Sequence, residues 1–269
     1  MVIQILKAFT AAGILSWAAF RTRALTRTGL AAAVLLGGTI FSIGGWQWSL
    51  PLVFFFLSSS LWSRAAACWQ NPPPADSSKH GRDAFQVMAN GGTGLILAGA
   101  ALLLPDQDWV WPAYLGSLAA VNADTWATEV GSFNPQPPRL ITTGKRVPPG
   151  TSGAISWLGS LAAGLGSGAI AAFHLAYPSP ASHVSTFLLL TLAGVLGSML
   201  DSVLGATLQG IYTCPACQEK TESHPVHSCG SPTSQVKGWR ILNNDLVNFL
   251  SSAASAAAAA ALFLIARSQ

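Results

Sequence analysis

Long apolar runs separated by short polar gaps set the pattern of this 269-residue chain. Eight runs have about the length, roughly 20 residues, that a helix needs to cross a bilayer core of ~30 Å. They cover residues 2–20, 28–45, 50–68, 85–104, 109–127, 152–173, 184–208 and 246–266. Because a chain in lipid must satisfy its backbone internally, the pattern predicts an all-α fold, a polytopic transmembrane helical bundle. About eight spans are expected, with seven as the alternative count, in a single integral membrane domain over 1–269. The first run has the length of a signal-peptide core, but no basic stretch precedes it and Arg21 and Arg23 follow it, which favours a retained helix.

Composition supports this reading. Hydrophobic residues make up 51% of the chain and charged ones 9%, with mean hydropathy +0.44, which excludes an ordinary soluble protein. Twelve of the fourteen Lys and Arg residues fall into four clusters of three. These are Arg21, Arg23 and Arg27; Arg64, Lys79 and Arg82; Arg139, Lys145 and Arg146; and Lys220, Lys237 and Arg240. The clusters occupy every second gap between the apolar runs, as expected when cationic loops are retained in the cytoplasm. Eight spans then place both termini outside. Trp46, Trp48, Trp62, Trp109, Trp111, Trp157 and Trp239 lie near span ends, where an interfacial aromatic belt belongs. The net charge of +4 is spread over short loops and reads as topology signals and phosphate contacts, with no nucleic-acid polymer as partner.

The polar residues of the spans cluster near one depth. Asp124 falls fifteen residues into the fifth span and Asp201 seventeen residues past Val184, roughly 22 and 25 Å along helices entering from outside. Helices leaving the cytoplasm carry Gln86 and Asn90, or Asn244, Asp245 and Asn248, in their first turns. Ionisable residues in a span are expensive and face a partner or a wet cavity. Asp124, Asp201 and Asp245 are therefore site candidates, the alternative being helix caps or partners of loop arginines. The stretch KRVPPGTSG, 145–153, combines Lys145 and Arg146 with Gly150, Thr151, Ser152 and Gly153, which are expected to open the sixth helix. Free N–H groups there would suit a phosphate, although the same residues also make an ordinary turn and N-cap. With Asp124 and Glu129 nearby, the combination fits a polyphosphate bound with magnesium. Arg82 supplies a further cation, or anchors its loop to anionic headgroups.

Small residues such as Gly159, Gly166, Gly194 and Gly197 crowd the sixth and seventh spans, and alanines the eighth. They predict either close helix packing or a smooth groove for an isoprenoid or acyl tail. The last cationic gap contains a Cys/His-rich insertion over 212–240. Within it, Cys214, Cys217, His227 and Cys229 have the spacing of a closed tetrahedral zinc site, with His224 as the alternative fourth ligand. Zinc held by four protein ligands would be structural, a knuckle that stiffens the loop. A disulfide is disfavoured in a reducing cytosol.

GRDAFQVMANGG, NADTWATEVGS with PRLITTGKRVPPGTSG, GSMLDSVLGATLQ and GWRILNNDLVNFLSS together resemble, in order and over nearly the whole chain, the integral membrane family of transmembrane protein 19 and the chloroplast phytyl-phosphate kinase. The DTWATEVG and KRVPPGTSG pair is similar, more distantly, to CTP-dependent dolichol and phytol kinases. The resemblance implies phosphoryl transfer from a nucleoside triphosphate, CTP or another, to an isoprenoid monophosphate presented by the membrane. It implies Asp124 and Asp201 as magnesium ligands, with Glu129 and Asp245 beside them. Arg82, Lys145, Arg146 and the 150–153 turn would contact phosphates, and Gln86, Asn90, Asn122, Asn244 and Asn248 would orient substrate. The competing functions are a transporter of a small or lipid anion, which should also carry polar residues at mid-bilayer, and a non-catalytic scaffold.

Overall fold

The computed structural model describes residues 2–69, 81–176 and 183–268; Lys79 lies outside them. Seven α-helices form among the described residues: α1 (Val2–Arg21), α2 (Arg27–Trp69), α3 (Ala84–Leu103), α4 (Val110–Gly131), α5 (Trp157–Ala171), α6 (His183–Thr207) and α7 (Asn244–Arg267). Six of the seven are long and apolar enough to cross a membrane, α5 together with the 3-10 turn Ala172–Ala176 that continues it; α4 is the exception.

The second and third predicted spans are the two arms of α2. No loop separates them; the 43-residue element passes through one non-helical residue, Gly45 (φ 58°, ψ −150°). A positive φ of this kind is open to glycine at little steric cost. Pro51 lies a short way into the second arm, where its missing N–H removes one helical bond and eases the bend. The arms fold back on each other. Arg64 Nη2, near the end of the second arm, donates to Thr22 O, just before the start of the first, at 3.0 Å. The buried Tyr114 hydroxyl donates to Trp48 O at the bend.

Helix α4 is the axis of the bundle. Every residue from Val110 to Ala123 is buried, and α2, α3, α5, α6 and α7 all pack on it. A helix enclosed by other helices meets protein in place of lipid, so it can carry Tyr, Ser, Asn and Asp at a lower desolvation cost than a lipid-facing span.

The small residues of the later spans make a compact bundle, as the first of the two sequence readings held. A Cβ on Gly194 would lie 2.6 Å from the Ala119 Cβ, and one on Gly197 2.6 Å from the Ala120 Cβ. Ser255 Oγ lies 2.9 Å from both Gly116 O and Ala193 O, so one hydroxyl bridges α4, α6 and α7. With lipid offering no hydrophobic drive between helices, such contacts hold the bundle.

The four cationic gaps meet at one end. Arg82 N donates to Ala24 O and Thr26 N to Arg82 O, joining the first two gaps. Ser152 Oγ donates to Gln209 Oε1 at 2.9 Å, and Lys237 Nζ donates to Ala206 O, joining the last two. At the opposite end Arg267 pairs with Asp108.

The sixth predicted span starts later than expected. Residues 150–153 do not open the helix; α5 begins at Trp157, with Ser156 Oγ accepting from Gly159 N. The preceding chain is held in a two-stranded ladder, β1 (Arg139–Leu140) against β2 (Ala154–Ile155), which commits residues through Ile155 to extended backbone. The Cys/His-rich insertion folds as a three-stranded sheet ordered β4 (Glu219–Thr221), β3 (Ile211–Cys214), β5 (Ser234–Lys237).

Candidate functional site

Asp124 on α4 and Asp201 on α6 lie near one another where the two helices pack. Asp124 hydrogen-bonds Ser198 and lies close enough to Asp201 for their charges to interact. Asp201 Oδ2 accepts from Ser251 Oγ of α7 at 3.0 Å, and Ser251 Oγ also lies 3.1 Å from Asn248 O. Three helices thus bring two carboxylates, two hydroxyls and one carbonyl together. Glu222, just beyond β4, also acts electrostatically on Asp201, so the insertion reaches the same place. Two half-buried like charges raise each other's energy, and a hard divalent cation with oxygen ligands relieves that repulsion. The donor set fits magnesium.

The 145–153 loop docks beside this pair. A Cβ on Gly153 (φ +76°) would lie 2.4 Å from Ser202 O and 2.5 Å from both the Cβ and the N of Ala206, so the loop backbone rests directly on α6 one residue past Asp201. Thr151 Oγ1 donates to Pro148 O, and Ala154 N to Thr151 O, which closes the turn. Gly150 (φ +80°) is exposed, as are Lys145 and Arg146 beside it. The turn offers cations and backbone amides next to the carboxylates, but it does so as a docked loop and not as the first turn of a helix.

Glu129 faces another side of α4, since five residues at ~100° each separate it from Asp124 by roughly 140°. Its Oε1 accepts from Ser63 Oγ of α2. Arg82 lies near it, with its guanidinium 5.6 Å from the Phe55 ring and 5.7 Å from the Phe56 ring. Burial pushes the Arg82 guanidinium below its ordinary value, and Glu129 opposes that shift. Two polar centres therefore sit at this end of the bundle: Asp124 with Asp201, and Arg82 with Glu129.

The amides divide between scaffold and site. Asn122 is fully buried; its Oδ1 accepts from Ser58 at 3.2 Å and its Nδ2 donates to Gly166 O at 2.7 Å, so it ties α2, α4 and α5 together. Gln86 completes a capping box with Asp83 at the start of α3, and Asn90 Nδ2 donates to Gln86 O. Asn243 caps α7 by accepting from Leu246 N, which leaves Asn244 exposed and Asp245 half-buried in the first turn. Ser198, Ser251, Ser63 and Glu222 were not singled out as site residues in the sequence. Ser198 lies three residues from Asp201 and Ser251 three from Asn248 on their helices, but a serine in a small-residue span looks the same whether it packs or ligates.

The four candidate zinc ligands converge. One ligand atom from each of Cys214, Cys217, His227 and Cys229 lies within 4.8 Å of all the others. Cys214 Sγ to Cys229 Sγ is 3.5 Å, His227 Nδ1 to Cys229 Sγ 3.2 Å, and Cys217 Sγ to His227 Nδ1 3.6 Å. Zn–S bonds of ~2.3 Å at tetrahedral angles put sulfurs roughly 3.8 Å apart, so the cage has the size of a zinc site. His224 is turned away, stacked on Tyr212 at 4.4 Å and 3.4 Å from Thr233 Oγ1. The hydrogen bond from His227 lowers the Cys229 thiol to about 6. Hydrogen bonding with Cys229, together with burial and the neighbouring thiols, pushes Cys217 up to about 12. All four cysteines are free, with Cys68 far along the chain from the other three.

Comparison with known proteins agrees with this architecture. Residues 10–256 match the family model described as Integral membrane protein DUF92. The chain is similar to Protein PGR of Arabidopsis thaliana, 31% identical over 262 residues covering 88% of each chain. It is also similar to an uncharacterized membrane protein of Methanocaldococcus jannaschii, 30% identical over 190 residues, 70% of this chain and 76% of that one. A third relative, an uncharacterized membrane protein of Synechocystis sp., is 32% identical over 188 residues, 69% of this chain and 72% of that one. No solved structure matches the chain. With a family model spanning nearly its whole length and a relative matched along most of both sequences, the chain belongs to the DUF92 integral membrane protein family, the group that includes transmembrane protein 19 and the phytyl-phosphate kinase-like proteins.

Proposed function

We propose that this protein is a membrane-embedded kinase that transfers a phosphoryl group from a nucleoside triphosphate to an isoprenoid monophosphate, forming the diphosphate. The observation that carries the reading is the pairing of Asp124 and Asp201, from separate helices, beneath a docked loop rich in cations and amides. Phosphoryl transfer asks a protein chiefly for charge neutralisation and alignment. Magnesium held by Asp124 and Asp201 would neutralise the nucleotide phosphates. Lys145 and Arg146 bind the transferring and leaving phosphates from the loop side, and the turn at 150–153 orients them through its backbone. The acceptor monoester has a second pKa near ~6, so at neutral pH it is already a nucleophile and needs no strong general base. Arg82 then holds the acceptor phosphate, with Glu129 acting on its guanidinium, and Asn248 lies at the edge of the carboxylate pair beside Ser251.

A transporter would need polar residues through the middle of the bundle. Here α4 is polar toward one end, while its midsection from Leu115 to Val121 is buried among apolar and small side chains. The zinc cage reads as structural, since all four positions are taken by protein. Protein reconstituted in lipid nanodiscs with magnesium, labelled nucleotides and isoprenoid monophosphates tests the reading. Diphosphate should form, and Asp124→Asn and Asp201→Asn should each lower kcat by at least about 100-fold with little change in thermal stability. Failure of the wild type to make diphosphate from any nucleoside triphosphate would refute the assignment.

A further inference from the structure

A groove of about 240 Å³ opens between α1, the two arms of α2, and α3. It lies away from the small-residue helices that the sequence offered as the alternative place for a lipid tail. Its walls are apolar, with Leu36, Leu52 and Phe55 among them. Arg82, Gln86 and Asn90 line one end, and the hydroxyl-bearing Ser16 and Ser49 lie elsewhere along the lining. At the other end Phe41 and the exposed Trp46 line it, with ring centroids 4.6 Å apart.

We infer that this groove takes the hydrocarbon tail of a single-chain isoprenoid phosphate, with Arg82 at the phosphate end and the Phe41–Trp46 pair as the stop that sets chain length. The inference rests on the proposed reaction for the identity of the head group. Charge complementarity selects the occupant: a cation enclosed by two aromatic rings at the end of an apolar channel fits an anion carrying an apolar tail. Glu129 acts on Arg82 from beyond ion-pair distance, so it positions the guanidinium without neutralising it by contact. The small volume, below the ~300 Å³ of the smallest usual ligand pockets, suits one chain and not the two of a diacyl lipid. Length follows from the second arm of α2. Trp46 and Phe56 both line the groove and are ten residues apart, roughly 15 Å of helix rise. An extended chain covers about 3.8 Å for every three bonds, so ~15 Å accommodates about twelve bonds, or about three isoprene units.

Equilibrium binding of radiolabelled isoprenyl monophosphates of one to five units, in neutral phosphatidylcholine nanodiscs and without nucleotide, tests this. Affinity should rise by at least about tenfold up to three units and then level off, because a tail leaving lipid gains only packing contacts. Farnesol should bind about tenfold or more weakly than farnesyl phosphate, and Arg82→Gln should remove that difference. Phe41→Ala should move the plateau to a longer chain. Gly37→Leu, whose side chain would project toward Ala12, and Ala12→Phe should each abolish the dependence on chain length while leaving the one-unit phosphate unchanged. The inference is overturned if both filling variants are folded and keep the wild-type length dependence, or if an anionic diacyl lipid competes as well as the single-chain phosphate. Normal binding without diphosphate formation would refute the reaction and leave the groove standing. Diphosphate formation with a length dependence indifferent to positions 12, 37 and 41 would do the reverse.

Discussion

The contact between Gly153 and α6 gives a sharp test, because Gly150 supplies its internal control. Both glycines have positive φ, +76° and +80°, so alanine at either position carries the strain of a left-handed residue, about 1–2 kcal/mol. They differ in what the new methyl group meets. At Gly150 nothing lies within 4 Å, whereas at Gly153 the Cβ would sit 2.4 Å from Ser202 O and 2.5 Å from Ala206. Restoring ordinary contact near ~3.4 Å requires the loop to move about 1 Å off α6, and such overpacking costs about 1–3 kcal/mol beyond the shared strain. That difference corresponds to about a 5- to 150-fold larger undocked population of the loop. Limited trypsin digestion at Lys145 and Arg146 measures the population directly and needs no activity. Gly153→Ala should be nicked about 5- to 150-fold faster than Gly150→Ala, and on the proposed reaction its kcat should fall by about 100-fold, the usual cost of a ~1 Å misplacement. Equal cleavage rates for the two variants would show that the loop does not rest on α6 beside Asp201.

Zinc content separates the two histidines of the knuckle: purified wild type and His224→Gln should each contain about one zinc per chain by plasma mass spectrometry, and Cys214→Ser and His227→Gln about none. Retention of zinc by His227→Gln would disprove the ligand set. Ser255→Val removes the hydroxyl that bridges Gly116 O and Ala193 O and adds bulk at a helix crossing, so detergent-solubilised protein should lose about 1–3 kcal/mol of stability in a chemical denaturation series. An unchanged midpoint would refute the assigned packing role.

Much of the site was readable along the chain because it depends on local quantities. Asp124 and Asp201 stand out since a carboxylate in an apolar run is costly wherever the helix packs. The alternation of the cationic gaps predicted that they share one end of the bundle, and the C-x-x-C and H-x-C spacings picked out the four candidate zinc ligands that the fold brings together. The amides were less legible. Asn122, Gln86 and Asn90 had the right type and depth, yet Asn122 and Gln86 are engaged in tying helices and capping α3, because an amide serves a backbone carbonyl as readily as a phosphate.

The sequence by itself determined where the chain is apolar, hence the helical segments, their alternation and the all-α membrane architecture, since hydropathy and length act residue by residue. Only the tertiary structure decided which helix lies at the centre. Helix α4 is the least membrane-like of the set and the most enclosed, and nothing local records that five neighbours surround it. The same holds for the hinge at Gly45, the docking of Gly153 on α6, the approach of Glu222 to Asp201 and the groove between α1, α2 and α3. Each depends on which surfaces fit against which, a property of pairs of helices distant in sequence that no single segment carries.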